Sequence, residues 1–266
     1  NPQYTYDHLI ATLAMCEAYA LSQQRFLKRP ANKALEYMYS IRNPGGAWRY
    51  APDHPQMISA PNDTSVTGWA IMAMTMAKEY GLAFDENALE DSILFFEEMT
   101  DPVTGRTGYT ESGTRPPRES GREELWPDDK TESLTAVGVL CRIFADPDLL
   151  RPGNEDAVKK GVQLIERIPP VWDIDNAPGN IDLYYWYYGS YALYQYQEVD
   201  TRPWKDWEKT LKAAIADNQH KEGEQQGSWD PQVDPWGHIG GRVYSTSMNI
   251  LTMEVFYRYD TVIGSH

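Results

Sequence analysis

The stretch Gly45-Gly46-Ala47-Trp48-Arg49-Tyr50, leading into Asp63-Thr64-Ser65-Val66-Thr67-Gly68-Trp69, is a glycine–aromatic loop that closes one helical pattern and opens another. The same unit returns as Gly227-Ser228-Trp229-Asp230 leading into Tyr244-Ser245-Thr246-Ser247-Met248. A looser copy joins Gly105-Arg106-Thr107-Gly108-Tyr109 to Thr131-Glu132-Ser133-Leu134-Thr135-Ala136. Each copy passes from an amphipathic helix, through the loop and a small polar cluster, into a more apolar helix. One helical hairpin per period of tens of residues marks a repeat architecture, in which no hairpin can bury its apolar face alone. The units therefore predict an all-α protein.

These units resemble the prenyltransferase and squalene-oxidase repeat, whose hallmark is an outer helix followed by a Gly-x-Trp loop. That superfamily includes squalene–hopene cyclases, the β subunits of protein prenyltransferases and the thioester domains of α2-macroglobulin-like proteins. The likeness runs from about Tyr4 to Tyr259. In phrasing it is nearest to uncharacterised bacterial proteins carrying the repeat, on Tyr6-Asp7-His8-Leu9-Ile10-Ala11-Thr12 and Gly240-Gly241-Arg242-Val243-Tyr244. It implies a terpenoid-cyclase-like α/α toroid, with inner helices around a central aromatic cavity and outer helices wrapped around them. It implies no particular reaction, because one fold hosts enzymes, binding modules and covalent-attachment domains.

Helical periodicity fills in the ring. Apolar or aromatic patterns predict inner helices over about 6–21, 63–80, 130–145, 181–197 and 244–259. Patterns alternating charge with apolar residues predict outer helices over about 29–42, 86–99, 154–168 and 204–219. Asp63, Thr131 and Ser245 stand where inner helices need N-caps, and Asp85 and Asn154 where outer ones do. The count leaves the ring one outer helix short. A single domain over 1–263 is expected, and Gly264-Ser265-His266 reads as an affinity-tag remnant. Two long segments interrupt the rhythm, 101–129 and 220–243. Both precede inner helices, so both should overhang one mouth of the barrel.

A net charge of −15, from 39 acidic and 24 basic residues, repels phosphate backbones and argues against a nucleic-acid partner. No apolar run approaches the ~20 residues of a membrane-spanning helix. No signal peptide is legible. Cys16 and Cys141 sit in apolar helical stretches and read as buried free thiols, which leaves the compartment open.

The family chemistries were weighed residue by residue. Class II terpene cyclases protonate an alkene with Asp-x-Asp-Asp. Here Trp172-Asp173-Ile174-Asp175-Asn176 matches two carboxylates and lacks the third, and Pro178 and Gly179 separate it from the next helix. A solvated turn is the plainer reading. Zinc prenyltransferases need Asp-x-Cys with a distant His, but Ala14 and Val139 stand two before the cysteines. His8 and Cys16 lie roughly 12 Å apart along one helix, too far to share an ion. The Cys-Gly-Glu-Gln of thioester domains is also missing. No metal-ligand set and no cofactor signature is legible.

What remains is a polar and aromatic constellation at one mouth. Asp7, His8, Asp63 and Tyr244 are the candidate catalytic residues, as acids, bases or hydroxyl donors. Arg49, Trp69, Trp186, Tyr187, His238 and Arg242 are the candidate ligand-binding residues, with Trp69 and Tyr187 deeper. Converging helix N-termini favour an anionic or oxygen-rich ligand there, while the net negative charge argues against a polyanion unless Arg49 and Arg242 reverse the field locally. Each polar residue also has a structural reading. Asp7 and Asp63 suit N-capping, His8 packing, the run Tyr184-Tyr185-Trp186-Tyr187-Tyr188 core filling, and Trp48 and Trp229 clasps between repeats. Two function classes stay open. One is a toroid that binds a small molecule, terpenoid, carbohydrate or protein partner. The other is an enzyme working at the cavity mouth, either a polysaccharide lyase or hydrolase or a divergent class II terpene cyclase.

Overall fold

The computed structural model describes residues 4–50, 61–175 and 179–258. Among them lie nine α-helices: α1 (Tyr4–Ser22), α2 (Arg25–Ser40), α3 (Thr64–Glu79), α4 (Glu86–Met99), α5 (Ser133–Ala145), α6 (Asn154–Glu166), α7 (Leu183–Tyr196), α8 (Thr201–Asp217) and α9 (Gly237–Arg258). Thr100 and Thr107 make an isolated antiparallel bridge, and no strand occurs among the described residues. The fold is all-α. Asn176, Pro178, Tyr259 and Gly264-Ser265-His266 lie outside the described residues.

Helices sort into two sets by what they touch. Successive odd helices pack on one another, α1 on α3, α3 on α5, α5 on α7 and α7 on α9. Each of the first four odd helices also packs on the even helix that follows it. Burial follows composition. Every residue of α5 from Ser133 to Phe144 is buried, and in α7 all but Tyr194 are. The amphipathic α8 instead buries Pro203, Trp204, Trp207, Leu211, Ala214 and Ile215, at the three- and four-residue spacing of a one-sided helix. Close approach between elements depends on glycine at two places. A Cβ on Gly68 of α3 would lie 2.5 Å from Val137 of α5, and one on Gly189 of α7 would lie 2.7 Å from the Trp207 ring.

Helix ends explain where the boundaries moved. Asp63 accepts from Val66 N at 2.7 Å and Asp85 from Ala88 N at 3.1 Å, the expected caps. Asp182 and Asp200 do the same for α7 and α8, so α8 begins three residues before its expected start. Helix α2 starts at Arg25, four residues before its expected start, and carries Pro30 inside it at the cost of the N–H bond that residue would give to Phe26 O. Helix α5 starts only at Ser133, since Asp128–Lys130 forms a separate 3₁₀ turn and Thr131 accepts from Ser133 N. Two expected caps are corrected. Ser245 lies inside α9 and donates to Trp229 O, and Asn154 bonds Arg142 and Asp146. Helix α9 begins earlier because Gly241, at φ 64° and ψ −163°, lets the chain break and resume helical geometry.

The glycine–aromatic loops fasten each hairpin. Trp48 is fully buried and its Nε1 donates to Met38 O at 2.9 Å, in the last turn of α2. Trp229 is equally buried and donates to Ile215 O at 2.9 Å, in the last turn of α8. Those carbonyls have no partner within their own helix, so the indole satisfies a group whose desolvation would otherwise cost free energy. Cys16 and Cys141 are free and buried, and burial pushes the Cys16 thiol up to about 12. It remains an unreactive thiol at neutral pH.

Candidate functional site

The first turns of all five odd helices meet around a single open cavity of about 350 Å³. Helix α1 contributes Tyr6, Asp7 and Ile10, α3 Ser65, α5 Ser133 and Leu134, α7 Tyr184, and α9 Ile239, Gly240 and Tyr244. Tyr50 and Tyr109 come from the glycine–aromatic loops, Pro116 and Pro117 from the 101–129 segment, and Trp236 from the 220–243 segment. The two long segments are tied to each other over this mouth. Trp126 Nε1 donates to Val233 O at 3.3 Å, and His238 Nε2 lies 2.7 Å from Glu119 Oε2.

Behind the lining runs a layer of buried carboxylates, each at the start of an odd helix and most clamped by an arginine from a preceding loop. Asp63 accepts from Arg49 Nη1 at 2.6 Å and from the Tyr109 hydroxyl at 3.3 Å. Glu132 holds Arg106 through three contacts, the shortest 2.7 Å, and accepts from Thr135. Asp182 accepts from Arg118 at 3.0 Å and from Tyr185 N. Asp234 accepts from Leu183 N and Trp236 N, both at 2.8 Å. These acids occupy the helix-dipole positions that a bound anion would otherwise take.

Burial dominates their electrostatics. The Asp63 carboxyl is raised to about 6, because desolvation outweighs the Val66 N–H, Arg49 and Tyr109 contacts that favour the anion. Asp234 is raised by burial and then by the adjacent Asp182 charge. The Tyr244 phenol is pushed far above its ordinary range by burial and by Asp234 and Asp182, so it stays protonated. Its hydroxyl is buried and finds no partner among the described residues, although the ring lines the cavity.

The structure divides the expected site residues into three groups. Asp7 and Tyr244 line the cavity. Asp63, Arg49, Trp69 and Tyr187 stand behind it. Asp63 and Arg49 neutralise each other, with the guanidinium packed over the Tyr50 and Tyr109 rings at 4.9 and 5.4 Å. Trp69 stacks on Tyr187 at 6.0 Å and meets Tyr6 edge-on. The rest point elsewhere. His8 faces α2, sharing its Nε2 with Ala34 O at 3.0 Å and the Thr12 hydroxyl, with its ring edge-on to Tyr37. Neighbours on a helix diverge by about 100°, so Asp7 can face the cavity only while His8 faces away. Trp186 is buried beside Trp172, and His238 is held at the rim by Glu119. Arg242 is drawn back to Ser228 Oγ and Trp229 O, which corrects its expected role in reversing the field. Asp175 lies in an exposed turn whose N–H bonds Asp173, far from the dry setting an alkene-protonating acid needs.

Sequence reasoning missed Tyr6, Ser65, Ser133, Trp236 and the pair Asp182–Asp234. The available signal was positional: an acid recurs at each odd-helix start, and small or aromatic residues fill the turn after it. Among the described residues, no group of three or more His, Cys, Asp or Glu side chains is placed to hold a metal ion. No helix among them is long and apolar enough to cross a membrane. No protein-family model matches the sequence, and no curated protein matches it either.

Proposed function

We propose that the chain is a small-molecule-binding domain, built as an incomplete α/α toroid of prenyltransferase-repeat type with its binding site at the mouth formed by the odd-helix starts. The successive packing of odd helices, each backed by its even partner, supports the toroid, as does the recurrence of the buried indole clasp at Trp48 and Trp229. The observation that carries the binding reading is the cavity itself. Five helix starts and both long segments converge on it, and five phenols and an indole line it. A cavity rich in aromatic surface with a few convergent polar groups is the usual form of a ligand site.

Binding is favoured over catalysis by the lining. Acid–base chemistry needs a titrating group within hydrogen-bond reach of the reacting atom. Asp7 is the one charged side chain lining the cavity among the described residues, while Asp63 and His8 are committed to structural partners. Ile239 is 60% exposed and borders the cavity, so Ile239→Trp should fill the mouth without disturbing the core. Native mass spectrometry of protein incubated with a fragment library should show one bound molecule per chain, with the bound fraction falling about tenfold or more in that variant. Equal occupancy in the two proteins would place the binding elsewhere and end this reading.

A further inference from the structure

We propose that the cavity selects an organic cation, an amine or ammonium group carried on a small apolar body. This rests on the binding reading above and names the ligand class that the site would take.

Three independent features lead there. The first is charge. No Lys or Arg lines the cavity among the described residues, and the charged side chain that does is the carboxylate of Asp7. The layer behind the wall holds Asp63, Glu132 and Asp182 paired with Arg49, Arg106 and Arg118, so those arginines add no net positive charge, and Asp234 stands beside them as a fourth acid whose carboxyl burial raises. The helix N-termini that would otherwise attract an anion already spend N–H groups on Asp63, Asp182 and Asp234. The chain as a whole carries −15.

The second feature is the aromatic box. Tyr6, Tyr50, Tyr109, Tyr184, Tyr244 and Trp236 surround the space. Arg49 already lies over the Tyr50 and Tyr109 rings, and the other four rings carry negative quadrupole potential on their faces that attracts a cation within about 6 Å of a centroid, most strongly where water is excluded.

The third is the direction of a hydrogen-bond chain. Tyr109 has one proton, and its hydroxyl donates to the ionised Asp63 carboxylate, which can only accept. The Tyr109 oxygen accepts from Arg49 Nη1 at 3.1 Å, and arginine can only donate. The Tyr50 hydroxyl, 2.8 Å from that oxygen, must then donate to it. Its own proton is thereby turned away from the cavity, and Tyr50 offers the cavity lone pairs. A wall fixed as an acceptor suits an N–H donor and rejects a carboxylate.

Calorimetric titration of the intact chain with four probes of one shape tests this: benzylammonium, benzyltrimethylammonium, benzyl alcohol and phenylacetate. Both cations should bind about tenfold or more tightly than benzyl alcohol, with phenylacetate weakest. Tyr50→Phe should weaken benzylammonium several-fold more than benzyltrimethylammonium, which has no N–H to donate. Should Tyr50→Phe fail to fold, Asp7→Asn at an exposed position should weaken both cations and leave benzyl alcohol unchanged. Benzyl alcohol or phenylacetate binding as tightly as the cations, with Ile239→Trp still blocking all of them, would overturn the cation assignment and leave the pocket standing. Cation binding that Ile239→Trp does not alter would overturn both.

Discussion

Asp63 caps α3 through Val66 N, pairs with Arg49 and receives the Tyr109 hydroxyl, so one carboxylate joins a helix start, a glycine–aromatic loop and the cavity wall. Its cost is visible in its titration. With the folded carboxyl raised to about 6 above an ordinary value of 3.8, folding takes up a proton between those limits. The stability this group contributes is therefore fully present below about pH 4 and is lost as pH rises to about 6. Asp63→Asn should flatten that part of the pH profile. Urea melts from pH 4 to 7 on the two proteins would check it. A difference between them that grows with pH across this window supports the assignment, whereas parallel profiles would mean the carboxyl titrates normally.

Among elements, the four even-numbered helices end on the same physical problem and solve it with different chemistry. Terminal carbonyls of α2 and α8 accept from indoles, Trp48 and Trp229. Phe96 O of α4 accepts from the buried guanidinium of Arg142, and Ile165 O of α6 from the Tyr185 hydroxyl at 3.1 Å. In each case a side chain from a loop or an odd-numbered helix reaches the end of an even-numbered one, which ties the two sets together. Trp229→Ala removes both a fully buried ring and the donor to Ile215 O, so it should destabilise by ~3–5 kcal/mol. A denaturant melt within about 0.5 kcal/mol of the parent would show that the loop adds little. Only the two tryptophans stood out in the sequence, because they recur with the same glycine pattern. Arg142 and Tyr185 serve the same end from positions no local pattern marks.

At the scale of the whole molecule, contacts run chiefly between successive odd-numbered helices, with each of the first four also packed on the even-numbered helix after it. Helices α5 and α7 have odd-numbered neighbours on both sides and are buried almost throughout, while α1 packs on one odd-numbered neighbour and leaves Ala11, Ala14 and Leu21 exposed. Amide exchange should therefore be slowest in α5 and α7 and faster in α1 and α9, following local unfolding from the two ends. Uniform protection across the odd helices would indicate one cooperative unit instead.

Local pattern determined the helices themselves. The 3.6-residue periodicity, the caps at Asp63 and Asp85 and the glycine–aromatic loops depend on neighbours in the chain, and they placed the alternation of amphipathic and apolar helices within a few residues, except at the start of α9, which lies seven residues before its expected position. The same logic indicated which ends of α3, α5 and α9 would meet, since each of these is preceded by a loop of the same kind. Tertiary structure alone decided which side chains face the cavity. Asp7 and His8 are adjacent yet face opposite ways, and Arg49 turns to Asp63 because a buried carboxylate attracts a guanidinium more strongly than an open cavity does. Direction around a helix axis, and the choice of partner for a charge, depend on residues tens of positions away. That is why the sequence suggested an anionic or oxygen-rich ligand at this mouth, while the packed arrangement of acids and phenols supports the cation we propose.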